Sequence, residues 1–198
     1  MISEYKTTLP LKSSNDAEPE AKELLEAAQK KMGFVPNMYK AMANSPGLLN
    51  TYIQGYNAFR ERSGFSSIEQ EVIFLSISQA NGCEYCMAAH SFLAEAASGV
   101  PSDVIAAIRD DKPIPEMQLS ALSIFTHVMV AKRGLPEQAE VDSFLSAGYN
   151  EKHILEIIHA IAIKTISNYT NHIFHTEVDS MFSAHTWTGK KSDIKSVA

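Results

Sequence analysis

The feature that most constrains this chain is its punctuation. Helix start and stop signals recur along it, and no stretch alternates polar and apolar residues with period two for long enough to form a strand. Asp16 and Pro19 open a helix that runs to Met32 and closes at Gly33, Asn37 caps a short one to Ala43, and Ser45-Pro46 opens another that ends near Gly64. Ser66 and Ser67, followed by Glu69 and Gln70, offer capping boxes ahead of an apolar helix that stops at the turn dipeptide Asn81-Gly82. Further helices are expected from Cys83 to Ser98, from Pro101, from Glu116 to Arg133 and from Pro136 to Ala147. A last one starts at Asn150 and runs toward Met181, broken near Asn168–Asn171. The chain therefore reads as an extended arm over residues 1–15 and a single all-α domain over 16–198, with eight to nine helices. An echo at a spacing of 84 pairs Gly64-Phe65 with Gly148-Tyr149, Ile73 with Ile157, Ile77 with Ile161 and Tyr85 with Tyr169. It leaves a degenerate internal duplication open.

At 198 residues a chain can bury about 70% of its unfolded surface, so folding requires neither disulfides nor metal. The net charge of −6, with no run of Lys or Arg, argues against a nucleic-acid partner, because phosphate neutralisation needs clustered cations. The longest apolar stretch, around Ile157–Ile163, is interrupted by His159 and Lys164 and is too short to span a membrane. The amino terminus shows no secretory h-region, so a cytoplasmic location is expected.

In a reducing compartment, two cysteines close together point to redox chemistry or metal binding. Cys83 and Cys86 are three apart, on one face of the expected helix and in its first turn. Unpaired backbone N–H groups there favour an anion, and cysteine pKa values fall from about 8.5 into the range of roughly 3.5–7.5 in such settings. His90 lies at i+4 from Cys86 on the same face, placed to take the thiol proton or to pair with the thiolate. Glu71 precedes Gly82 by eleven residues and His90 follows it by eight. At about 1.5 Å per residue these are depths of roughly 16 and 12 Å, so a hairpin at Asn81-Gly82 sets Glu71 across from His90. A Glu–His–Cys relay with a second cysteine beside it is a thiol redox device, in which one thiolate attacks and the other thiol resolves the intermediate as a disulfide. Three functions stay open on the residues alone: a peroxide-reducing or thiol–disulfide oxidoreductase, a non-enzymatic redox-sensing or scaffold oligomer, and a metal-binding protein using Cys83, Cys86, His90 and Glu71.

Glu71, eleven intervening residues, then Cys83-x-x-Cys86-x-x-x-His90 resembles the signature of the alkylhydroperoxidase D-like group of the carboxymuconolactone decarboxylase family. Gly33-Phe-Val-Pro-Asn37 and the Ser45-Pro46 helix start resemble its peroxidase-related members. The resemblance implies an all-helical peroxide-reducing thiol enzyme assembled as a trimer or hexamer, with no tightly bound cofactor. By the same resemblance Cys86 attacks the peroxide, Cys83 resolves the sulfenic acid, His90 serves as base or relay, and Glu71 supports it. The implied reductant is an external dithiol, a lipoyl protein or thioredoxin, and the implied protein partner a peroxiredoxin. One departure stands out. Those members carry His immediately before the second cysteine, and this chain carries Tyr85, which supports the site only through its hydroxyl.

Other residues fit packing roles. His127, His159, His172 and His175 read as surface or satisfied core histidines. Tyr39, Tyr52, Tyr56 and Phe59 read as core or as the lining of a pocket over the thiols. Met32, Met38 and Met42 read as core or as a soft oligomer surface.

Overall fold

The expected helix starts and stops are mostly met within a residue or two. A computed structural model describes residues 3–189, and among these it has nine α-helices and no strand. The helix α1 (Pro19–Met32) starts with proline in its first turn and ends at Gly33, whose φ of 80° lets its N–H turn back to the Gln29 carbonyl. Then come α2 (Asn37–Met42) and α3 (Pro46–Arg62). Ser66 and Glu69 form the capping box that opens α4 (Ser67–Ala80). A turn at Asn81-Gly82 leads into α5 (Glu84–Leu93), which widens into a π-helical turn over Ala94–Ser98. After α6 (Ser102–Asp110), α7 (Met117–Ala131) and α8 (Gln138–Ser146), the chain enters α9 (Glu151–Phe174) and ends in a 3-10 turn, Ser180–His185.

Residues Gln70 through Ser78 of α4 are all buried, so this helix is enclosed around its whole circumference and forms the centre of the molecule. It packs against α5, α6, α7 and α9, and α3 packs along α9. Gly55 permits that last approach, since a Cβ there would sit 3.2 Å from Ile163 Cγ1.

The last helix corrects the expected break. Through Asn168–Asn171, α9 is continuous over its 24 residues, ending only at His175. Short polar side chains weaken helices by competing for the backbone. Here they find partners elsewhere: Asn81 donates to Asn168 Oδ1 at 2.9 Å, and Asn171 points at the two cysteines.

Residues 3–15 run as an arm without helix, with Thr7 N donating to Ile173 O and Lys12 N to Lys40 O, each at 3.0 Å. At the other end Arg109 donates to Ser91 Oγ and to the carbonyls of His185 and Thr186. This fastens the 3-10 turn across α5. The arm's residues 1–2 and the expected domain's residues 190–198 lie outside the described residues.

Candidate active site

The hairpin between α4 and α5 brings the four motif residues together. His90 Nδ1 lies 2.8 Å from Glu71 Oε2, with both side chains almost wholly buried. Arg60, from the end of α3, donates to the other carboxylate oxygen, and also to Tyr56 Oη at 2.8 Å and to Gln70 Oε1 at 3.1 Å. Its guanidinium lies over the rings of Tyr56 and Phe74. Burial pushes the Glu71 pKa up, but His90 and Arg60 overturn this and hold it below the usual carboxylate range. An ionised Glu71 can only accept, so Nδ1 carries the proton and Nε2 of His90 is left as the basic atom. Burial, reinforced by the charge of Lys164, lowers the His90 pKa against the pull of Glu71.

Cys83 is the N-cap of α5, one residue before the helix proper, and Cys86 is its third residue. Both thiols are free and buried. Asn171 Nδ2 donates to Cys86 Sγ at 3.3 Å and reaches Cys83 Sγ at 3.8 Å. The two sulfurs separate electrostatically. Burial and the neighbouring Cys86 push the Cys83 thiol well above its ordinary pKa. At Cys86 burial also acts upward. The hydrogen bond from Cys83, the charge of Lys164, His90 and the Ser167 hydroxyl outweigh it and hold this thiol well below the ordinary range.

Lys164, Ser167 and Asn171 come from α9, and the spacing of the motif gives no sign of them. Lys164 is 0% exposed, and its Nζ has no hydrogen-bond partner and lies 5.5 Å from the centre of the Phe74 ring. The only sequence signal is a lysine inside an otherwise apolar helical stripe. Arg60, likewise unmarked, is found by its place at the end of α3.

Above Cys86 and His90 opens a cavity of about 570 Å³. Tyr39, Tyr52 and Tyr56 line it, as does Phe182 from the 3-10 turn. The fourth expected aromatic, Phe59, instead packs against Phe74 in the core, the two rings tilted by 47°. Met38 and Met42 are buried and take the packing alternative. Tyr85 is turned away from the Glu71–His90 pair. Its hydroxyl donates to Asp179 Oδ2 at 2.5 Å, and Asp179 also accepts from Asn37 N. Burial and Asp179 push the Tyr85 pKa far up, so it holds its proton.

His127 and His159 have polar partners, Gln79 and Glu156. His172 does not fit the expected satisfied role: its Nε2 is buried without a partner. Among the described residues no three His, Cys, Asp or Glu side chains gather as a metal site.

Residues 46–119 match the model of the carboxymuconolactone decarboxylase family. None of the curated proteins compared with the chain matches it. Among solved structures, the fold is similar to the alkylhydroperoxidase AhpD core of an uncharacterized peroxidase-related protein from Ralstonia eutropha JMP134. That likeness has a TM-score of 0.77 and 20% identity, covering 88% of this chain and 93% of that one. A peroxidase-related protein from Silicibacter sp. TM1040 gives 0.74 at 24% identity over 91% and 95%. A cysteine-to-alanine variant of the debrominase Bmp8, in complex with 2,3,4-tribromopyrrole, gives 0.74 at 20% identity over 92% and 97%. The family model thus matches the segment that carries both cysteines and His90, and the fold around it is similar to that of the AhpD core and peroxidase-related structures.

Proposed function

We propose that the chain is a thiol-dependent peroxide reductase in which Cys86 is the attacking sulfur and Cys83 the resolving one. The observation that carries this reading is the asymmetry of the pair. Cys86, and not Cys83, lines the large cavity beside His90, and it is Cys86 whose ionised form the surroundings favour. Cys86 gives its proton to His90 Nε2, and its thiolate attacks the outer oxygen of the peroxide. The O–O bond breaks, Cys86 becomes a sulfenic acid, and the leaving oxygen takes the proton back from His90. Because burial and Lys164 make that imidazolium hold its proton weakly, the transfer is favourable. Cys83 then attacks the Cys86 sulfur, water leaves, and a disulfide forms. An external dithiol, a lipoyl protein or thioredoxin, returns both cysteines to thiols, and no tightly bound cofactor is required. A peroxiredoxin recycled by the same disulfide is the protein partner the reading allows.

Peroxide consumption with a dithiol reductant tests the reading. Cys86→Ser should abolish it. Cys83→Ser should permit a single turnover and leave a sulfenic acid trappable at Cys86. Sulfenic acid on Cys83 with activity retained in Cys86→Ser inverts the roles. Disulfide formation without turnover favours a redox sensor instead.

The size and aromatic lining of the cavity favour one second reading, reductive removal of bromide from an aromatic ring. There the Cys86 thiolate takes the halogen, the ring carbon gains a proton, and Cys83 displaces bromide as the disulfide closes. Bromide release from a brominated pyrrole without peroxide consumption selects this reading.

A further inference from the structure

The two sulfurs open onto different spaces. Cys86 lines the aromatic cavity, whereas Cys83 lines a separate cleft of about 50 Å³ together with Glu84, Asn171, His172, His175 and Thr176. Tyr85 borders both, and its hydrogen bond to Asp179 fixes it as the wall between them. Three atoms on the residues of this cleft are buried with no hydrogen-bond partner: Asn171 Oδ1, His172 Nε2 and Thr176 Oγ1. Asn171 as a whole is only 4% exposed. Buried polar atoms are nearly always satisfied, so three orphans around one small space point to an absent occupant.

Their chemistry specifies that occupant. His172 bonds to the Gly82 backbone. Since its Nε2 is without a partner, this bond belongs to Nδ1, which donates to the Gly82 carbonyl and leaves Nε2 an unprotonated acceptor. Asn171 Nδ2 is directed at the sulfurs, so its Oδ1 is a second acceptor. The cleft therefore offers acceptors to a small group that carries a proton, beside the sulfur that the peroxide never meets.

We infer that this cleft is the entry for the reducing thiol, and that His172 Nε2 takes its proton as it attacks Cys83. The inference rests on the disulfide cycle proposed above. In the first step the incoming thiol gives its proton to His172, its sulfur bonds to Cys83 Sγ, and the Cys83–Cys86 bond breaks. The electron pair leaves on Cys86 as a thiolate, facing Lys164 and Asn171 Nδ2. The second thiol of the same reductant then loses its proton to solvent and attacks the first sulfur. Cys83 departs as a thiolate and takes the proton back from His172. Oxidation and reduction thus approach the pair from opposite sides. Several groups set the proton affinity of His172. Burial lowers it, Cys86, Glu84 and the Gly82 carbonyl raise it, Cys83 and His175 share the cleft, and Tyr169 stacks on its ring.

The test starts from protein oxidised to the Cys83–Cys86 disulfide with diamide, so it can be read even if peroxide proves not to be a substrate. Brief exposure to 2-mercaptoethanol and acid quenching, followed by peptide mass spectrometry, should place the mixed disulfide on Cys83. A mixed disulfide on Cys86 overturns the inference without any variant being needed. Single-turnover reduction by dithiothreitol should be at least tenfold slower at pH 7 in His172→Phe. In that variant the rate should follow only the ionisation of dithiothreitol, rising about tenfold per pH unit, while the wild type shows a shallower rise. Thr176→Leu, which fills the cleft, should slow reduction at every pH. Ala89→Trp, on the aromatic cavity, should slow oxidation by peroxide instead. Wild-type reduction rates in both cleft variants, or slowed reduction in Ala89→Trp alone, refute the entry route.

Discussion

Replacing Lys164 by Met should move reactivity and stability in opposite directions. The lysine ammonium is fully buried, makes no hydrogen bond, and acts on Cys86, Cys83 and His90 through its charge. An opposite unit charge about 4–6 Å away, at an effective dielectric constant of about 20, contributes roughly 3–4 kcal/mol, or two to three pKa units. Asn171, Ser167, Cys83 and His90 remain around Cys86, so the lower end applies, and the apparent pKa of the Cys86 thiol should rise by about two units. Below both pKa values the thiolate fraction changes tenfold per unit, so iodoacetamide labelling at Cys86 should slow about 100-fold. Met fills the same space without a charge to desolvate, and exchanging buried charge for apolar volume is commonly neutral or stabilising by about 1–4 kcal/mol. Each kcal/mol raises Tm by about 2–4 °C in a chain of this size. The measurements are the pH dependence of labelling, read by mass spectrometry, and a thermal melt. An unshifted labelling profile removes Lys164 from the chemistry, and a lowered Tm shows that its ammonium is a structural partner.

His90→Ala should also raise the Cys86 pKa, by less than Lys164→Met, in the same labelling assay; the reverse order makes the imidazole the main activator of the thiol. Glu71→Gln leaves the Arg60 guanidinium with only Tyr56 and Gln70, so it should lose about 2–3 kcal/mol and lower Tm by roughly 5–10 °C in calorimetry. Stability should fall as pH drops from 7. The unfolded chain takes up protons on histidine near 6.5, whereas the folded pKa values of His90, His127 and His172 lie lower. Their contribution is therefore full above pH 6.5 and is lost as pH falls toward the folded values. Glu71 adds a second loss of the same sign below about 4.5, and His90→Asn should flatten the first limb of a Tm-against-pH curve. Light scattering should give a multiple of 21.8 kDa, because Met117 and Ile124 of α7 and Leu155 and Ile158 of α9 are exposed; a monomer mass refutes this.

The helical frame and the motif were legible because both are local. Pro19, Gly33, Ser66 and the Asn81-Gly82 turn act within one helical turn of themselves, and Glu71 meets His90 through a single hairpin. What was not legible depends on helices distant in sequence. Asn168 and Asn171 read as a break because the sequence shows their intrinsic preference and not their partners, Asn81 and the cysteine sulfurs. Lys164 read as an interruption of an apolar run, and only the packing of α9 over α5 turns it into the cation beside a thiol. Tyr85 was expected to support the site through its hydroxyl, and Asp179, 94 residues further on, takes that hydroxyl instead.

The stripe of Lys164, Ser167 and Asn171 along α9 also lies wholly outside the family-matched segment, residues 46–119. The matched segment supplies the sulfurs, and with Cys83 and His90 part of what sets the acidity of Cys86, while a different helix supplies the rest through Lys164 and Ser167. Two proteins could therefore share an identical Cys-x-x-Cys stretch and still differ about 100-fold in thiol reactivity at a pH below both thiol pKa values, through one substitution 78 residues beyond the second cysteine. Divergence of activity within such a group would then accumulate in α9 while the cysteine helix stays constant, and sorting its members by the residue facing the thiols from α9 would group them by chemistry where sorting by motif does not.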